Sequence, residues 1–204
     1  MKRLGKDFFL RENVVDISKE LIGKFLVTNI QNKLTSGMIV ETEAYNGVID
    51  KASHAYNGRR TQRNEIMYGE GGNTYVYLCY GIHHLFNIVT NKKEIPHAVL
   101  IRAVVPKEGI ETVLKRRNQK SITKKISDGP GTASQALGIK IKYSGISLNE
   151  KLIWVEDRGV KFTAKEIKAG PRIGVDYAGK DALLPYRFRL NDNIITNITN
   201  EWHS

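Results

Sequence analysis

Two carboxylates and a phenol stand at alternate positions in IVETEAY (39–45). On a β-strand, Glu41, Glu43 and Tyr45 share one face and Val40, Thr42 and Ala44 the other, because successive side chains point to opposite sides. A carboxylate buried without a cation is costly, and that cost raises its pKa into the range useful for a general base. Solvation or pairing with arginine is the alternative for either residue. Strand parity does not choose between Glu41 and Glu43. His54 follows nine residues after Tyr45, in a polar loop.

A second group of aromatic residues lies in NTYVYLCYGIHHLFN (73–87). The pattern predicts a β-hairpin with strands at about 74–79 and 82–90. Tyr75 and Tyr77 then lie opposite Val76 and Leu78, and burial in the core is the default for Tyr75. Tyr80 falls beside Gly81, where the chain turns back. A large ring at the tip of a basic protein's hairpin can wedge between base pairs, unstacking a step from the minor groove.

Other chemistries are excluded by what the chain lacks. Cys79 is the only cysteine, which rules out an intramolecular disulfide, a Cys-x-x-Cys zinc site, an iron–sulfur cluster and a zinc deaminase. His83 and His84 are strand neighbours facing opposite ways, and the five histidines show no ligand spacing, so neither a metal nor another cofactor is expected. No phosphate-binding Gly-x-x-x-x-Gly-Lys-Ser/Thr loop is present, and GEGGN (69–73) runs into a strand, not a helix.

The 204 residues suit a single domain spanning 1–204, long enough to bury roughly two-thirds of its unfolded surface. Lysine and arginine number 32 against 21 acidic residues, a net charge of +11, and such an excess favours nucleic acid over a membrane as partner. The N-terminal apolar run, Phe8-Phe9-Leu10, is too short for a signal peptide. A soluble intracellular protein is expected, cytoplasmic and nucleoid-associated in a bacterium, and monomeric.

The remaining elements are those that must hold these groups. Asn13 predicts the cap of a helix over Val14–Ile22 that stops at Gly23. Segments 24–30 and 37–45 read as paired strands around a polar QNKLTS, and 46–64 as a long surface segment. AVLIRAVVP (98–106) is apolar enough for a central strand, with Pro106 opening a helix that carries Ile110, Val113 and Leu114. The run 115–125 holds six basic residues. After the Gly-Pro-Gly turn of DGPGTASQALG (128–138), Thr132 and Gln135 have capping-box spacing in a short helix ended by Gly138. Strands are predicted at LIWV, RIGV and YRFRL, the last with Tyr186, Phe188 and Leu190 opposite Arg187 and Arg189. The sum is an α+β fold with a mainly antiparallel, curved sheet, flanking helices and a protruding hairpin.

Taken together, RLGKDFF, LIGKFLV, IVETEAY, DKASHAYNG, TQRN, YVYLCYG, FNIVT, VLIRAVVP, GPG…QALGI and RIGVDYAG resemble the alkyladenine (3-methyladenine, methylpurine) DNA glycosylase family over nearly the whole chain. The resemblance implies an enzyme that turns a damaged purine out of double-stranded DNA and hydrolyses its N-glycosidic bond. It implies Glu43 as general base with Glu41 the accompanying acid, and Arg102 and the Ile173 carbonyl as helpers that hold the water. It implies Tyr45, Tyr77 and His54 as the sandwich for the flipped base, and Asn87 as the side chain that crowds the amine of guanine. Tyr80 is implied as the wedge, Ile82 and His83 as minor-groove neighbours, and Arg59, Thr61 and Arg63 as backbone contacts. Gln62 stands where the family has proline, Thr132 and Ala133 where it shows lysine and leucine, and NKKEIPH (91–97) is a slightly longer connection. A base-excising enzyme that also cleaves the strand through a pocket lysine, and a protein that only binds damaged DNA, are the competing readings.

Overall fold

In the computed structural model, which describes residues 1–203, the chain is organised around one long strand. The elements run β1 (Lys2–Arg3), α1 (Lys6–Phe9), α2 (Val14–Glu20), β2 (Phe25–Ile30), β3 (Lys33–Tyr45), β4 (Thr74–Cys79), β5 (His83–Thr90), β6 (His97–Glu108), α3 (Ile110–Arg117), α4 (Pro130–Leu137), β7 (Ile153–Asp157), β8 (Ile167–Gly170), β9 (Arg187–Leu190) and α5 (Asp192–His203). The strands form one antiparallel sheet in the order β1-β7-β2-β3-β6-β5-β4, with β8 and β9 as a branch. The expected α+β architecture is what the chain adopts.

The branch lies on β3. Along one edge β3 pairs with β2 from Lys33 to Met38, and then Glu41–Glu43 pair with β9. The opposite edge pairs with β6 from Ser36 to Tyr45. The β3–β6 register slips on both sides of Glu41: Ile39 faces Val104, Glu41 faces Ala103 and Thr42 faces Ile101. Val40 and Arg102 are thus the extra residues of two small bulges, a device that re-aims side chains beside a functional cleft. On the other face of β3, Thr42 and Ala44 are buried, and Thr42 exchanges hydroxyl and carbonyl hydrogen bonds with Ser18 of α2 at 3.0 and 2.8 Å.

Several boundaries differ from the sequence expectation, each for a local reason. The β2–β3 turn is only Gln31-Asn32, both left-handed at φ 57°. Thr35 and Ser36 looked like loop residues but are buried strand residues, satisfied by Thr28 at 2.7 Å and Glu108 at 2.5 Å. Pro106 does not open a helix. It sits inside β6 opposite Gly37, where the register shifts against Glu108, and a bulge is where a strand tolerates a residue with no N–H. The helix begins at Ile110 after Gly109. In α4 no capping box forms: Thr132 donates to the Gly129 carbonyl and Gln135 to the Arg116 carbonyl, both at 2.8 Å. Asn13, by contrast, caps α2 as expected, accepting from Val15 and Asp16.

RIGV (172–175) is a bend and not a strand; the missed strand is β8, which pairs with β9. Arg172 is the cause, for its guanidinium bonds Asp50 through both terminal nitrogens and also the Ala44 and Asp181 carbonyls. The 46–64 segment is not merely superficial. Asp50, Ala52, Ser53, Ala55 and Asn64 are buried, and Asn64 donates to the His54 and Arg59 carbonyls at 2.9 and 2.8 Å.

The β4–β5 hairpin closes at Tyr80 and Gly81, with φ of 50° and 74°, and Ile82 N–H donates to the Cys79 carbonyl at 3.2 Å. Paired left-handed residues suit asparagine–glycine; tyrosine pays a steric cost there. Tyr80 is 89 % exposed, so no packing offsets that cost. Tyr80→Asn should therefore raise unfolding stability by about 0.5 kcal/mol, measured by denaturant titration. A loss of stability would mean that the ring makes a stabilising contact.

Candidate active site

Glu43 lies near the C-terminal end of β3, behind the wall of a cavity of about 650 Å³ that its neighbours Tyr45, Arg102 and Ile173 line. It is fully buried, and both oxygens are engaged. Oε1 accepts the Ile173 N–H at 2.8 Å and faces Arg102 Nη1 at 3.3 Å; Oε2 accepts the Tyr45 hydroxyl at 2.9 Å. Burial raises its pKa above the ordinary 4.5, with Glu41 adding a smaller push, and Arg102, the Ile173 amide and Tyr45 pull against it without cancelling it. The result is a carboxylate that is structurally fixed and easier to protonate than usual, a state suited to proton transfer.

Geometry separates the two acids that parity left equivalent. Glu41 is buried behind Glu43 among three arginines: Arg102 Nε and Arg187 Nη1 at 3.1 Å, and Arg189 Nη1 at 2.6 Å. Arg102 is held between the two carboxylates. Burial opposes its charge, but Glu43 and Glu41 outweigh that and raise its pKa. The Ile173 amide N–H bonds Glu43 directly; the carbonyl of the same residue is the group that the resemblance assigns to holding the water.

The cavity walls bring most of the other expected residues together. Tyr45, His54, Tyr77, Asn87, Tyr80, His83, Arg102 and Ile173 all line it. Tyr45 is stacked over the Arg172 guanidinium at 4.9 Å, and burial, then Glu43, raises its pKa well above 10.0. His54 Nδ1 lies 2.8 Å from the Tyr75 hydroxyl, and its ring meets that of Tyr77 edge-on at 4.7 Å. Burial, with Arg63 and Arg59 nearby, lowers the His54 pKa to about 4, so this imidazole is neutral near pH 7. Asn87 is buried and oriented by donation to the Tyr75 carbonyl at 3.1 Å. Tyr75 is buried, as expected, but is also part of the cavity wall.

Ile82 is 71 % exposed beside Tyr80, so the hairpin tip presents two large apolar side chains to solvent. His83 faces the start of α4, where a Cβ on Gly131 would come within 2.8 Å of its ring; only glycine lets the helix approach this closely. The three proposed backbone contacts divide. Arg59 is exposed, and Thr61 donates its amide and hydroxyl to Asn64 Oδ1 at 2.7 and 3.0 Å. Arg63 instead lies on the cavity wall, with its guanidinium 5.0 Å from the Tyr77 ring centroid.

Sequence reasoning assigned no role to Arg187, Arg189, Asp50 or Arg172. The signal for the first two was visible as arginines alternating with apolar residues in a strand. For Asp50 and Arg172, 122 residues apart, none was. Among the described residues, no lysine lines the cavity, no cluster of three or more histidine, cysteine, aspartate or glutamate side chains could hold a metal, and no helix is long and apolar enough to cross a membrane.

The methylpurine-DNA glycosylase family model matches residues 7–194. Proteins whose names carry the words 3-methyladenine DNA glycosylase are similar over most of their length. One from Chlamydia felis is 47 % identical over 189 residues, covering 92 % of this chain and 96 % of the relative. Those from Clostridium perfringens strain 13 and Bacillus cereus strain G9842 are each 43 % identical, covering 94 % and 88 % of this chain and 97 % and 92 % of theirs. A match of this extent, on a chain that buries a glutamate against the wall of an aromatic cavity, means that the protein belongs to the methylpurine-DNA glycosylase family of DNA repair enzymes.

Proposed function

We propose that this protein is a monofunctional glycosylase. It flips alkylated or deaminated purines (3-methyladenine, 7-methylguanine, hypoxanthine, ethenoadenine) out of double-stranded DNA and releases them by attack of water at C1′. The observation that carries the reading is the buried Glu43 carboxylate, fixed by Arg102, Tyr45 and the Ile173 amide beside a cavity wide enough for a purine. As the glycosidic bond breaks, positive charge grows on the sugar. A carboxylate against C1′ stabilises that charge and accepts a proton from the attacking water. Arg102 and the Ile173 carbonyl hold the water.

The flipped base stacks between Tyr45 and the Tyr77–His54 pair. Cation–π attraction favours positively charged alkylated purines by about 1 kcal/mol, and the neutral state of His54 avoids repelling them. Asn87 crowds the amine that distinguishes guanine. Tyr80 fills the vacated stack, Ile82 and His83 lie in the minor groove, and Arg59, Thr61 and Arg63 meet the backbone. The absence of lysine from the described cavity wall favours water over an amine nucleophile, hence no strand cleavage.

A duplex with one hypoxanthine or ethenoadenine, assayed with and without alkali, tests this directly. Base release with strand breakage only after alkali is expected; breakage without alkali would mean a lyase, and binding without release a damage sensor. Glu43→Gln should bind the duplex yet release base at least ~100-fold more slowly. Unimpaired release would move the base role elsewhere, with Glu41 next. Because ionised Glu43 is the active form and burial raises its pKa, single-turnover release should fall on the acid side with a midpoint above 4.5. Tyr80→Asn, well folded, should bind the damaged duplex more weakly; unchanged binding would remove the wedge.

A further inference from the structure

Glu41 reaches three separate pieces of the cavity through arginines. Its Oε1 holds Arg102 Nε at 3.1 Å, and the other end of that guanidinium faces Glu43. The same oxygen holds Arg187 Nη1 at 3.1 Å, while Arg187 Nε donates to the Pro171 carbonyl at 2.8 Å, two residues before Ile173. Its Oε2 holds Arg189 Nη1 at 2.6 Å, and Arg189 also bonds Asp128 at 2.7 Å, the residue that leads into Gly129–Thr132 on the cavity wall. Opposite each other in the β3–β9 register stand Glu41 and Arg189, then Glu43 and Arg187.

Three guanidinium groups around one buried carboxylate exceed what neutralising it requires. Arg187 and Arg189 keep side-chain exposures of 27 % and 19 %, so their surroundings do not demand burial of a charge. What they gain is reach. Each spans from Glu41 to a different loop, and a charge-assisted hydrogen bond with two ends fixes distance as well as attraction.

We propose that Glu41, Arg187 and Arg189 form a positioning hub that holds Arg102, the 171–173 loop and the 128–132 turn in register with Glu43. The proposal rests on the reading of Glu43 as general base. None of the three need touch the substrate: Glu41 acts through Arg102, Arg187 through the Ile173 amide, and Arg189 through the turn. Loss of Arg187 would let the Ile173 N–H drift from Glu43 Oε1. The groups facing Glu43 would otherwise be unchanged: Glu41 and Tyr45 on its own strand, Arg102 on β6, Tyr77 on β4, and Arg172 and Tyr177 after β8.

Arg187→Met keeps an apolar stem of similar length at this β9 position and removes both bonds. Its single-turnover release of hypoxanthine from duplex DNA should fall about tenfold or more, with affinity for that duplex changed less than about threefold. The acid limb of the rate profile should move to higher pH, because a carboxylate that loses a hydrogen bond to its charged form is protonated more readily. Arg187→Lys, which retains the charge beside Glu41, should recover part of the rate and serves if the methionine variant does not fold. A folded Arg187→Met with unchanged rate and limb would overturn the hub, as would an unchanged Arg187→Lys where only that variant folds, or a rate loss matched by an equal loss of affinity with the limb unmoved. If Glu43→Gln is inactive while the Arg187 variants behave as wild type, the hub alone fails; if Glu43→Gln retains full activity, the general-base reading fails first.

Discussion

A carboxylate at the position of Glu43 opposes its own burial, and the surrounding architecture limits that opposition without abolishing it. Full neutralisation by Arg102 would give an inert ion pair. No cation at all would let burial raise the carboxylate's pKa further. Arg102 is instead divided between Glu43 and Glu41, at 3.3 and 3.1 Å; an amide and a phenol take two further lone pairs of Glu43, which leaves one on Oε2. Hydrogen bonds from neutral donors support the charged form less strongly than a dedicated guanidinium. The pKa therefore stays above the ordinary value even with three favourable partners. The bulges at Val40 and Arg102 are the backbone condition for this sharing, since they set where the Arg102 side chain emerges.

The same logic explains why the 46–64 segment, rich in turns and charge, is ordered. Asp50 and Arg172 form an ion pair with side-chain exposures of 1 % and 0 %. Removing one partner of such a pair leaves a buried unpaired charge, at a cost of about 3–5 kcal/mol. That is large against the marginal stability of a domain, so the segment carrying His54 and the one carrying Ile173 are locked to each other and to the Ala44 carbonyl. Arg172 Nε remains buried without a hydrogen-bond partner among the described residues; the guanidinium carbon lies over the Tyr45 and Tyr186 rings, whose faces attract the cation.

Period-2 spacing of residue types made β3, the hairpin and β9 legible as strands, although burial alternates along β9 while both faces of β3 are buried. It placed Glu41, Glu43 and Tyr45 together and set Arg187 and Arg189 opposite the core. It failed where polar residues were buried but satisfied, as at Thr35 and Ser36, and where a residue of strand-like type served another purpose, as in the bend at Arg172. Proline misled at position 106 because a bulge and a helix start both accommodate a missing N–H. The choice between the two acids was hidden for a different reason. It depends on which carboxylate the β9 arginines occupy, and those lie 146 and 148 residues away in the chain. Only the resemblance to a family singled out Glu43; contact geometry then supplied a physical reason for the difference.

Several departures from ordinary folding rules meet at one cavity. A tyrosine occupies a left-handed turn position, an isoleucine is exposed beside it, a glutamate is buried with a raised pKa, and a histidine is held neutral by desolvation. Elsewhere the strands and helices follow propensity, with asparagine at a cap and in the tight β2–β3 turn. Local rules broken together, on elements that the rest of the sheet holds rigid, are the pattern of selection for a site over stability. In the proposed reaction the departures also share a direction. The hairpin tip meets the duplex from outside, and Glu43 meets the sugar from inside. The aromatic walls between them hold the base at the one depth where both contacts are made at once, so the wedge and the carboxylate are two ends of a single distance set by β3, β4 and β5.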